Sequence, residues 1–146
     1  MTLETIYKEK NTFPKPETLI HFTHNEGLKH MGMVPASNWS SLDEFINRPS
    51  GIFFWNAEQE KDVFCSGIHK VFVDISDLDT SKLFAYPVAV ADIAERFTAA
   101  TEDQKFHFAG LLAEMKQVKA VSFNDYDGSF FAEWIYTGEI EANIIK

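Results

Sequence analysis

Polar and apolar residues alternate along Thr18 to Thr23 (TLIHFT), which predicts a strand. A period of two puts Ile20 and Phe22 on one face and Leu19, His21 and Thr23 on the other. Asn25 stands where a helix cap is needed, and Glu26 to Met31 predicts a short helix ended by Gly32. Ser41 and Glu44 have capping-box spacing for a second short helix, which stops before Pro49. After a Pro-Ser-Gly turn, Gly51 to Trp55 (GIFFW) is a short apolar run that predicts a buried strand. His69 to Ile75 alternates again, with Val71, Val73 and Ile75 on one face.

In the second half, Asp77 to Tyr86 reads as loop and turn, and Ala91 to Ala99 predicts a short helix. The strongest helix signal runs from about Glu102 to Val118. Thr101 and Gln104 form its capping box, and Phe108, Leu111, Leu112, Met115 and Val118 make its apolar stripe. Lys119–Phe123, Phe130–Tyr136 and Ile140–Ile145 are separated by a turn at Asn124–Gly128 and by Gly138, which predicts a hairpin meander. Helices interrupting an early set of strands, followed by antiparallel strands, read as an α+β fold. No repeat or long linker divides the chain, so residues 1–146 read as one domain, with 1–17 as an extended arm.

Composition sharpens this picture in three ways. Hydrophobic residues make up 45% of the chain, enough for a core, and 14 phenylalanines exceed what a minimal core needs, so some rings are expected to line a pocket. Asp and Glu number 22 against 13 Lys and Arg, a net charge of −9, and only Arg48 and Arg96 are arginines. That balance disfavours a broad grip on a phosphate backbone, although a local basic groove remains open. No apolar run approaches the ~20 residues of a membrane span, and Met1 to Pro16 lacks the pattern of a signal peptide. The single cysteine, Cys65, points to a reducing cytoplasm rather than a disulfide framework.

Glu133 is the most informative polar residue. It shares a face with Phe131 and Ile135, while Phe130, Ala132, Trp134 and Tyr136 take the other, so its strand reads as central. A carboxylate there is costly unless paired or used, and desolvation raises its pKa. It reads as a functional acid, as the partner in a buried salt bridge, or as a wet residue if the strand lies at an edge. His21 and Thr23 form a polar pair on their strand, facing either a cleft or, for the histidine, a satisfied core position. His21-x-x-His24 and Cys65-x-x-x-His69 have superficial metal-ligand spacing, but His21 and His24 point to opposite faces, whereas zinc needs converging ligands. Cys65 with His69 has the spacing of a thiol and base on a helix, without further support. No Walker loop, Gly-x-Gly-x-x-Gly or Gly-x-Ser-x-Gly occurs.

Three ordered segments together resemble the ADP-ribosyltransferase superfamily in its His-Tyr-Glu branch, the diphtheria-toxin-like and poly-ADP-ribose-polymerase-like enzymes. His21-Phe22-Thr23 is similar to the branch's His-Gly-Ser/Thr strand. Gly51-Ile52-Phe53-Phe54-Trp55 followed by Val63-Phe64-Cys65 is similar to its Gly-Ile-Tyr-Phe-Ala strand and the Tyr-Cys after it, with Phe53 and Phe64 eleven residues apart as the family's two tyrosines are. Glu133, followed by Gly138-Glu139-Ile140, resembles the catalytic glutamate strand and its turn. The order holds across Leu19 to Ile145, and the opening, Leu19 to Gly32, also resembles the DNA-targeting DarT toxin group. The length matches small phage-type members, which implies a toxin or phage effector.

The resemblance implies a split antiparallel β-sheet with flanking helices and an NAD⁺ cleft between the half-sheets. It implies that His21 bonds the adenosine-side ribose, that the Phe22 backbone holds the nicotinamide amide, and that Thr23 supports the strand end. Phe53 and Phe64 would sandwich the nicotinamide ring, and Glu133 would accept a hydrogen bond from the 2′-hydroxyl of its ribose. The implied reaction is a glycosyltransferase-class transfer of ADP-ribose from NAD⁺, used as substrate, to a macromolecular acceptor, with protein favoured over nucleic acid by the net charge.

The chain departs from the family at several places. Both family tyrosines are phenylalanines, which keep a stacking face and lose a hydroxyl, and the position of the amide-holding hydroxyl falls near Lys61. Phe131 stands where arginine-modifying members carry an acid or amide, which implies an acceptor other than arginine. RNA 2′-phosphotransferases are related, but their extra basic residues are missing here. The alternative on the same fold is a non-catalytic interaction or inhibitor module, using Trp39, Trp55 and Trp134 at its interface.

Overall fold

The computed structural model describes residues 12–37, 45–62 and 69–146. In chain order the elements are β1 (Thr18–Thr23), α1 (Leu28–Met31), β2 (Ile52–Asn56), β3 (His69–Asp74), β4 (Leu83–Pro87), α2 (Val88–Thr98), α3 (Glu102–His107), α4 (Ala109–Met115), β5 (Val121–Ser122) and β6 (Ala132–Tyr136). Short 3₁₀ turns cover Ala57–Asp62, Ile75–Asp77, Thr80–Lys82 and Ala142–Ile144. The strands form one six-stranded antiparallel sheet in the order β3-β1-β2-β6-β4-β5, so the fold is α+β.

Alternation along the strands sends side chains to two cores on opposite faces. One holds Leu19, Phe54, Val71, Val73, Leu83, Ala85 and Trp134. The other holds Ile135, Tyr86, Val90, Ala94 and Met115, with Phe45 and Ile46. Burying a large apolar side chain such as Trp134 contributes roughly 1.5–3 kcal/mol. Helix α2 packs Val90 and Ala94 onto this second face, and α3 opens with the expected capping box: Thr101 Oγ1 accepts from the Gln104 N–H at 3.2 Å and Gln104 Oε1 from the Thr101 N–H at 2.9 Å. The described part of the arm is tied down. The Phe13 N–H donates to the Gly128 carbonyl at 2.9 Å, and the Phe13 ring packs edge-on to Phe131.

The sheet is unevenly joined. β1 pairs with β3 along its whole length, from Thr18↔Asp74 to Thr23↔His69. With β2 it shares only Leu19↔Asn56 and Ile20↔Trp55. β2, β6, β4 and β5 form the other half.

Several sequence expectations are corrected. Asp77–Tyr86 is not all loop: Leu83–Pro87 is β4, an inner strand. Leu83 and Ala85 enter one core and Tyr86 the other, so both faces are apolar and no alternation marks the strand. The long helix is two short ones, because Phe108 (φ −105°, ψ 22°) leaves the helical region and Gly110, a weak helix former, follows in the next turn. The meander is interrupted: β4 lies between β5 and β6, and Ile140–Ile145 forms an isolated bridge to Met33 and a 3₁₀ turn instead of a strand. The first helix is shorter than expected, since Asn25 Oδ1 accepts from the Gly27 N–H and holds residues 25–27 in a turn. Of the helix expected from Ser41 and Glu44, residues 41–44 lie outside the described residues, and 45–48 are not helical, with Asn47 in an isolated bridge to Lys119. Among the described residues no helix is long and apolar enough to cross a membrane.

Candidate functional site

The two-pair contact between β1 and β2 defines the site. Backbone pairing stops at Ile20↔Trp55, and the next side chain, His21, reaches across instead. Its Nδ1 lies 2.6 Å from the Phe53 carbonyl oxygen. A carbonyl only accepts, so Nδ1 is the donor in this bond. The His21 ring also packs edge-on to Phe54.

Beyond His21 the strands diverge and enclose a cleft of about 360 Å³, lined by His21, Thr23, Leu28, Met33, Gly51 and Phe53 among others. That volume lies in the range of small-ligand sites. Thr23 closes the strand end by accepting from the Asn25 N–H at 3.0 Å. Gly51 admits the close approach of β2 to β6: a Cβ there would stand 2.5 Å from the Tyr136 carbonyl oxygen and 2.7 Å from Ile135 Cγ2.

On the helix-bearing face, the ring of Phe53 is covered by Arg48, whose Cζ lies 4.7 Å from the ring centroid. Arg48 Nη1 donates to Glu133 Oε1 at 3.2 Å, and the two side chains are only 8% and 13% exposed. Trp55 and Phe131 stack beside this group, with centroids 6.2 Å apart and planes 23° apart. Phe53 is therefore the link between the two faces. His21 holds its carbonyl, Arg48 holds its ring, and Arg48 in turn holds Glu133.

Burial pushes the Glu133 carboxyl above its ordinary value, the Arg48 guanidinium pulls it back, and Asp92 on α2 adds to the rise. Asp92 is itself raised, by burial and then by Glu95, against the pull of Arg96. Removing either partner of a buried ion pair strands the other, at a cost of about 3–5 kcal/mol.

Of the expected site residues, His21, Thr23 and Phe53 come together at the cleft. Phe22 points to the other face and is half-buried. Glu133 lies on a central strand, as expected, but does not line the cleft. It meets Phe53 on the opposite face, through the salt bridge that was one of the readings of this residue. Both faces of β1 carry core residues. Leu19, on the His21 face, belongs to the main core, and Ile20 is buried on the other. Phe64, Cys65 and Trp39 lie outside the described residues. Trp134 is fully buried in the core and has no surface to offer a partner.

Arg48 and Asp92 were not singled out by sequence reasoning. The available signal was the cost of an acid on a central strand, which requires a cation in a chain with two arginines. Among the described residues no three His, Cys, Asp or Glu side chains gather as a metal site. The arrangement can hold a flat cation between the Phe53 ring and Glu133 on one face, and can admit a small ligand to the cleft beside His21 on the other. Comparison with family models, with curated proteins and with solved structures finds no match to this chain.

Proposed function

We propose that the chain is an NAD⁺-dependent ADP-ribosyltransferase, with Glu133 as the catalytic carboxylate. One observation carries the reading: Phe53 and Glu133 together hold a flat, delocalised cation on one face of the sheet, and the same Phe53 lines the cleft that opens beside His21. NAD⁺ presents such a cation in its nicotinamide ring. Cleaving the bond between that ring and the ribose sends the electron pair out with neutral nicotinamide and leaves an oxocarbenium-like sugar. A fixed carboxylate stabilises that developing charge and takes a hydrogen bond from the 2′-hydroxyl. The acceptor nucleophile then bonds to the sugar carbon and loses its proton.

In this reading Phe53 supplies one stacking face and Phe64 the other, His21 and Thr23 line the adenosine side, and the Phe22 backbone holds the amide. The net charge of −9 favours a protein acceptor over a nucleic acid, and the single cysteine favours a reducing cytoplasm as the setting. The ion pair on Glu133 favours a second reading, an interaction module in which this acid is structural.

Labelled NAD⁺ with a lysate as acceptor separates the two. Label transfer by the wild type and its loss in Glu133→Gln, which keeps an acceptor for Arg48, is the expected result. No transfer, no nicotinamide release and no thermal shift at millimolar NAD⁺ in either protein selects the module.

A further inference from the structure

The inference rests on the transferase reading and concerns control of the same site. We propose that Arg48 is an internal competitor for the nicotinamide: its guanidinium fills the place between the Phe53 ring and Glu133, and NAD⁺ enters by displacing it. A guanidinium and an N-substituted pyridinium share the features this place selects. Both are planar, both carry one delocalised positive charge, and both stack on an aromatic face. Arg48 makes both contacts the ligand would make, at 4.7 Å to the ring centroid and 3.2 Å to the carboxylate oxygen.

Burial makes the competition direct. With Arg48 and Glu133 only 8% and 13% exposed, the guanidinium occupies the contact to Oε1 that a ligand would take. The backbone under Arg48 is anchored. Phe45 and Ile46 are buried, Asn47 bridges to Lys119, and Gly51 is pressed against Tyr136. Displacement is therefore a rotation of the long side chain rather than a swing of the main chain. The exchange replaces one cation by another, so the buried acid never stands unpaired. After the glycosidic bond breaks, nicotinamide is neutral and loses its hold on the acid. Arg48 then returns and clears the product.

The test compares 1-methylnicotinamide, which is a cation, with neutral nicotinamide and with NAD⁺, by calorimetry on the wild type, Arg48→Ala and Arg48→Lys. If the guanidinium holds the site in most molecules, apparent affinity for a competing cation is lowered by the open fraction. 1-Methylnicotinamide and NAD⁺, which both carry the pyridinium cation, are then expected to bind Arg48→Ala at least about tenfold more tightly than the wild type, with neutral nicotinamide gaining far less. Arg48→Lys keeps a positive charge for Glu133 without a flat face for Phe53, and is expected to fall between. It also serves if the alanine variant does not fold. Equal or weaker binding of 1-methylnicotinamide in the variants overturns the proposal, because Arg48 would then be support for the ligand or irrelevant to it. The readout needs no turnover. Tighter 1-methylnicotinamide binding without nicotinamide release from NAD⁺ upholds the competitor and rejects the transferase.

Discussion

His21 donates from Nδ1 to the Phe53 carbonyl, 2.6 Å away, at the point where β1 and β2 stop sharing backbone bonds. The bond sets how wide the half-sheets stand apart beside the cleft. His21→Ala is expected to cost about 1 kcal/mol in urea unfolding, the net worth of one hydrogen bond. It should also weaken NAD⁺ binding by more than that stability change alone explains. Wild-type affinity in His21→Ala would remove the histidine from the site.

Gly51 and Gly110 make a contrasting pair. A Cβ at Gly51 meets backbone at 2.5 Å, whereas one at Gly110 has nothing within 4 Å. Gly51→Ala should destabilise by about 1–3 kcal/mol and disturb ligand binding, because β2 must shift from β6. Gly110→Ala should stabilise by about 0.5–1 kcal/mol with binding unchanged. Thermal melts of the two variants give the comparison, and effects of the same sign would contradict it.

Glu133 binds its proton more tightly in the folded chain than its ordinary value of 4.5 implies. Stability therefore falls as pH rises from that value through the raised one, since over that window the folded state holds the extra proton. Glu133→Gln removes this contribution. Urea midpoints of the two proteins should diverge in favour of the variant as pH climbs from acid toward neutral. A difference that stays constant with pH would show that the carboxyl does not titrate in this way.

The capping box of α3 offers a control remote from the cleft. Thr101→Ala removes the acceptor for the Gln104 N–H and should cost about 1 kcal/mol while leaving nicotinamide release from NAD⁺ unchanged. A loss of release would mean that α3 contributes to the site.

Local signals carried a good part of this fold. The alternation of TLIHFT marks β1 to the residue, Thr101 and Gln104 announce the start of α3, and Glu133 falls on a central strand as its apolar neighbours require. What escaped was set by distant contacts. Leu83–Pro87 is apolar on both faces and ends in proline, so only its place between β6 and β5 reveals a strand. Arg48 stands 85 positions before Glu133, and no short-range pattern chooses it over Arg96 as the acid's partner. Cleft width is equally invisible, because it depends on how soon β1 and β2 part company.

That early parting has a mechanical corollary. Only two backbone pairs join the β3-β1 ribbon to the four-strand block, so the seam is held chiefly by the core to which both contribute, with Leu19, Val71 and Val73 from one and Phe54, Leu83 and Trp134 from the other. A dinucleotide lying across the seam would act as a staple. Its clearest signature would be slowed amide exchange on both banks at once, including backbone groups it never touches.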